Sequence, residues 1–79
     1  MDKINISVFF PCYNEENNIG KLLNSILEFL PTISDDFEII VIDDGSTDAT
    51  AEIAQKIAME NSQVKVIRIS HVERKGKSV

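Results

Sequence analysis

One cysteine and one histidine in 79 residues leave little room for several kinds of chemistry. A lone Cys12 cannot close an internal disulfide, and its solitude fits a reducing compartment. No histidine stands near it in sequence, so it reads as a small apolar residue near a strand end rather than a nucleophile. His71 has no Cys or His companion at metal-ligand spacing and reads as a surface residue. Positive charge is scarce as well, with 8 Lys and Arg against 13 Asp and Glu and a net charge of −5. That balance argues against general capture of nucleic acid, which needs a broad basic surface. No apolar run approaches the length of a membrane span, and the opening MDKINIS lacks a signal-peptide core. The expectation is a soluble chain facing the cytoplasm, without repeats or low-complexity segments.

The chain does contain enough apolar residues, 43%, for one small core. Its centre is FEIIVIDDGSTD, residues 37–48. The run Ile39-Ile40-Val41-Ile42 is β-branched without period-2 alternation, the pattern of a strand buried on both faces of a parallel sheet. It surfaces at Asp43 and Asp44, and ligands of open α/β sheets bind outside the carboxyl ends of strands. Successive side chains on a strand point to opposite faces, so one aspartate should face a cleft and the other the supporting structure. The residues leave open which is which, and a solvated pair capping the next helix is the plainer alternative. Gly45 allows positive φ for a sharp exit. Ser46, Thr47 and Asp48 are all N-cap types, so a helix is expected to begin within a residue of Thr47 or Asp48.

A first strand is expected from Ile4 to Phe10, stopped by Pro11, which has no amide hydrogen. Asn14 is an N-cap candidate, with Glu15 and Glu16 placed in the first helical turn. Ile19, Leu22, Leu23, Ile26, Leu27 and Leu30 then form one face of a helix that Pro31 ends. After the central strand, Thr50, Ile53, Ala54, Ile57 and Ala58 give a narrower stripe able to lie close to a sheet. The stretch from Val64 to Ile69 alternates with one break and reads as a strand nearer an edge. Two consecutive βαβ units follow, hence parallel strands with right-handed crossovers. The fold class is α/β: a three-layer parallel sheet, βαβαβ, in spatial order 3-2-1.

All three strand ends then open on one sheet edge. The Tyr13 ring, the aspartate pair and a basic tail would meet there. Residues 1–67 carry 4 Lys and 12 Asp or Glu, whereas residues 68–79 carry Arg68, Arg74, Lys75 and Lys77 against Glu73. A ring for stacking, carboxylates for hydroxyls or ring N–H groups, and cations for phosphates together suit a nucleotide. A merely solvated tail remains the alternative.

The segments Pro11-Cys12-Tyr13-Asn14-Glu15-Glu16, the run from Ile39 to Thr50 through Asp43-Asp44-Gly45-Ser46, and Lys75-Gly76-Lys77 resemble the opening of the inverting glycosyltransferases of family 2. Polyprenyl- and dolichyl-phosphate sugar transferases and cell-envelope enzymes are the nearest in feel. The resemblance implies the Rossmann-like, nucleotide-binding half of the GT-A nucleotide-diphospho-sugar transferase fold, with residues 1–79 as a truncated N-terminal part. It implies that Pro11, Tyr13 and Glu15 line the base and ribose pocket together with Asp43, with Asp44 beside it. Asn14, Gly45 and Ser46 belong to the same nucleotide-sugar-binding set, and Lys77 lies near the phosphates. Arg74 stands where the family usually has Asn. The implied ligand is a UDP- or GDP-sugar and the acceptor a lipid phosphate or glycan.

A divalent cation, Mg or Mn, is expected for the full-length enzyme, but its Asp-x-Asp site lies downstream of this segment, as do the acceptor site and catalytic base. No residue here is named catalytic. The segment alone is expected to be inactive, since a diphosphate leaving group needs its charge neutralised. Membrane association would come only through other parts or the lipid acceptor, at the inner face of a membrane. The strand from Ile4 to Phe10 should be an exposed apolar edge, open to homodimerisation. Two other readings stand beside this one. A phosphorelay receiver would place its acidic pair after the first strand and a phospho-acceptor Asp at a later one; here the pair follows the second strand and the third runs into Ser70-His71. A stand-alone α/β interaction domain would use its turn residues only as caps and would not respond to a nucleoside diphosphate with Mn²⁺.

Overall fold

A computed structural model describes residues 5–69. The elements are β1 (Asn5–Cys12), α1 (Ile19–Phe29), a 3-10 turn (Leu30–Thr32), β2 (Asp36–Asp43), α2 (Thr50–Glu60) and β3 (Val64–Arg68). The strands form one sheet in the order β1-β2-β3. Both pairings are parallel, with Val8 opposite Ile39 and Val41 opposite Val66. The expected class, pairing and strand order are therefore found.

The layering is simpler than expected. Both crossovers step across the sheet in the same direction, and connections of one hand then deliver their helices to one face. Ile19, Leu23 and Leu30 from the first helical segment and Ala54 from α2 accordingly share one core with Cys12, Ile39, Val41 and Val64. The described residues make two layers rather than three. On β2, Ile39 and Val41 are sealed under the helices while Ile40 and Ile42 on the opposite face stay partly exposed. The missing alternation thus marks two apolar faces, of which the described residues cover one.

Element boundaries shift for local reasons. Pro11 lies inside β1, opposite Ile42, instead of stopping the strand. The Cys12 carbonyl accepts from the Asp44 N–H at 2.9 Å, so in this parallel ladder the neighbouring Pro11 nitrogen points away from β2, where no donor is needed. The start of α1 comes four residues later than an Asn14 cap would give. Asn18 occupies the cap position, no acidic residue falls in the first turn, and the Ile19 N–H bonds to the Glu15 carbonyl at 2.8 Å. Likewise α2 begins at Thr50 after Ala49. At α1 the expected cap residue Asn14 is bonded elsewhere, whereas at α2 Asp48 still accepts from the Thr50 N–H at 2.9 Å.

Candidate functional site

At the carboxyl edge of the sheet, β1 and β2 release two loops side by side. The bond from the Asp44 N–H to the Cys12 carbonyl closes the ladder at their base. Above it each loop supplies what the other lacks. The Asn14 N–H donates to Ser46 Oγ at 2.8 Å, and Asn14 Oδ1 accepts from the Thr47 N–H at 2.8 Å. The Glu15 N–H donates to Thr50 Oγ1 at 2.7 Å, whose hydroxyl in turn donates to Asp48 Oδ1. The Ala49 N–H donates to Glu16 Oε1 at 2.9 Å, while the Glu16 N–H reaches Asp48 Oδ2 at 3.3 Å. Asn14, Glu16 and Ser46 are thus spent across the gap, while Asp48 divides itself between the Glu16 N–H of the other loop and the Thr50 N–H at the start of α2.

Backbone shape matches this role. Gly45 takes φ 76, the positive value that its lack of a side chain permits, and Asn14 takes φ 50. Asn is one of the few other residues that tolerate this region, because its amide can bond locally.

The aspartate pair divides as strand geometry requires, and the structure settles the assignment. Asp43 shares the helix-facing side of β2 with Ile39 and Val41 and is 0% exposed. Its Oδ1 accepts from the Ser46 N–H at 3.3 Å and its Oδ2 pairs with Arg68 Nε at 3.2 Å. Asp44 instead lines an open recess of about 400 Å³ together with Pro11, Cys12, Tyr13 and Glu15. The Tyr13 ring beside it is 51% exposed. Of the residues expected to bind ligand, Pro11, Tyr13, Glu15 and Asp44 are brought together. Asp43, Asn14, Gly45 and Ser46 lie outside the lining and build the support; Lys77 lies outside the described residues.

Electrostatics separate the two groups of side chains further. Burial pushes the Cys12 thiol up from its ordinary value, and nearby Asp43, Glu15 and Asp48 push it the same way. Cys12 packs in the core. At Asp48 lost solvation pushes the carboxyl up, but hydrogen bonds from the Thr50 hydroxyl, the Thr50 N–H and the Glu16 N–H outweigh it and hold the group below its ordinary value. Among the described residues no three His, Cys, Asp or Glu side chains cluster as a metal would need.

Residues 7–79 match the model of the family described as Glycosyl transferase family 2. The chain belongs to glycosyltransferase family 2. It is 34% identical over 79 residues to a dolichyl-phosphate beta-glucosyltransferase of Drosophila melanogaster, covering 94% of this chain and 24% of that protein. Against an undecaprenyl-phosphate 4-deoxy-4-formamido-L-arabinose transferase of Edwardsiella ictaluri the identity is 36% over 53 residues, 67% of this chain and 16% of the relative. Protein RfbJ of Shigella flexneri is 45% identical over 51 residues, 65% of this chain and 36% of its own length. The chain therefore spans about a third or less of these relatives. Family 2 membership replaces the receiver-like reading, and the three parallel strands with two helices agree with the Rossmann-like half of such an enzyme.

Sequence reasoning missed two things about these loops. Arg68 was read as part of a basic tail, yet it is the ion-pair partner of Asp43. Glu16 and Asp48 read in sequence as helix-start residues and Thr50 as part of the α2 stripe, yet they tie two loops that lie more than 30 residues apart. Strand parity carried a usable signal for the aspartates, since Asp43 falls on the same side as Ile39 and Val41. Nothing local announces the cross-loop bonds.

Proposed function

We propose that this chain forms the nucleotide-binding half-site of a family 2 glycosyltransferase, one that moves a sugar from a UDP- or GDP-sugar to a lipid phosphate or glycan acceptor. The observation that carries the reading is the recess at the carboxyl ends of the strands, where Tyr13, Glu15, Asp44 and Pro11 converge. An exposed aromatic face offers a base a stacking partner, and carboxylates accept from ribose hydroxyls or a ring N–H. Phosphates need cations. Arg74, Lys75 and Lys77 follow β3 in sequence and supply them in this reading, and they lie outside the described residues.

A divalent cation is part of the proposal for the whole enzyme but not for this recess. Only two carboxylates line it, so the described residues do not fit a metal site by themselves, and no step is assigned to one here. The segment alone is accordingly proposed to bind without transferring sugar. No described helix is long and apolar enough to cross a membrane. Work at the cytoplasmic face of a membrane enters the proposal through a lipid acceptor. Self-association is proposed through β1, whose outer edge has no partner strand among the described residues.

The test is a calorimetric or NMR titration of the 79-residue chain with UDP and GDP, with and without Mn²⁺. Saturable binding that Tyr13→Ala and Asp44→Ala both weaken is the expected result. A folded chain that binds neither nucleotide would remove the reading of the recess.

A further inference from the structure

We propose that Asn14 is a positioning residue, which holds Tyr13 opposite Asp44 without touching the nucleotide itself; this rests on the nucleotide reading of the recess. Asn14 sits between two lining residues but is not one of them. Its left-handed backbone turns the chain so that its neighbours diverge from the strand direction, and its amide group crosses to the other loop. Between Cys12 and Asp44 the covalent path runs through α1 and all of β2, so it fixes nothing at the rim. Noncovalent ties do that work, and the Glu15 N–H bond to Thr50 Oγ1 already holds Glu15 independently of Asn14. The ladder bond between the Asp44 N–H and the Cys12 carbonyl sets the base, and the Asn14 bonds to Ser46 and Thr47 set the tip. With the Asn14 side-chain bond to Thr47 lost, the base and the backbone bonds of Asn14 and Glu15 still pair, but the Tyr13 segment loses the tie that fixes its distance from Asp44.

Asn14 contributes two separable properties, a tolerance of positive φ and an acceptor oxygen. Asn14→Gly keeps the first and removes the second. Asn14→Ala removes both, and Asn14→Asp keeps an acceptor in the same place. The experiment measures UDP and GDP affinity and the denaturation midpoint of each variant of the 79-residue chain, at high salt so that the charge added by Asn14→Asp is screened. NMR contacts between the Tyr13 and Asp44 segments are recorded in parallel, without ligand.

Asn14→Gly is expected to weaken nucleotide binding roughly tenfold, the size of one orienting hydrogen bond, with little change in midpoint. Asn14→Asp should restore most of the affinity, and Asn14→Ala should lose both affinity and stability. Native affinity in Asn14→Gly, or affinity lost only in step with unfolding, overturns the proposal. Should the parent chain bind no nucleotide, the recess reading fails alone, because positioning is still read from the NMR contacts. Loss of the Tyr13 to Asp44 contacts in Asn14→Gly, with the β1-β2 contacts kept, sustains it; their persistence overturns it.

Discussion

A carboxylate sealed from water must be bonded on both oxygens to be tolerated, and Asp43 meets that condition through Ser46 and Arg68. Removing it strands a buried backbone N–H, so Asp43→Ala is expected to cost about 1–3 kcal/mol in denaturant unfolding. Asp44→Ala should cost less stability and more binding, since its carboxylate lies at the recess. Equal losses of stability at the two positions would contradict this division. Asp48 makes a pH-dependent contribution. Its folded pKa is lowered, so the stabilisation is fully present above the ordinary value of 3.8 and is lost as pH falls through the lowered one. The stability gap between the parent chain and Asp48→Asn should therefore be constant from neutral pH to about pH 5 and close below pH 4. Cys12, buried and with its thiol pushed up, should resist alkylation at neutral pH until the chain is unfolded.

Among the elements, the helices and the strands were legible to different depths. The apolar stripe of α1 and the β-branched run of β2 announced themselves because burial demands those residues at those spacings. The start of α1 did not, because Asn14 bonds to Ser46 and Thr47 of the opposite loop and no local window contains both partners; at α2 the local bond from the Thr50 N–H to Asp48 was legible, but the one from the Glu16 N–H was not. Pro11 misled for a related reason: its missing hydrogen matters only if the N–H would face a partner strand, and that depends on β1 lying at the sheet edge. The close approach of the two helices supplies a test at this scale. A Cβ added at Gly20 would stand 3.7 Å from Ile53 Cγ2, an ordinary contact. Gly20→Ala should then stabilise the chain by about 0.5–1 kcal/mol, through lower backbone entropy when unfolded and one added methyl contact. A lower thermal midpoint would mean that α1 and α2 have no space between them at that point.

For the whole molecule, the decisive imbalance is that a two-layer fold has been written with a three-layer sequence. Period-2 alternation is what a sheet with one wet face displays, yet Phe9, Ile40, Ile42 and Ile67 all project from the face opposite the helices. They are neighbours, since Phe9 pairs with Ile40 and Ile42 with Ile67 across the strands. Phe9 is 63% and Ile67 51% exposed, so this stripe is wet in the described structure. Contiguous apolar surface of that kind binds amphiphilic dyes and lowers solubility without weakening the core beneath it. The folded chain is therefore expected to enhance the fluorescence of a hydrophobic dye at neutral pH, below its unfolding transition. Phe9→Ser with Ile67→Ser should abolish most of that signal while shifting the denaturation midpoint little, because neither side chain is buried by α1 or α2. If the double variant unfolds instead, the outer face contributes to the fold, and the absence of alternation in β2 reflects a second core.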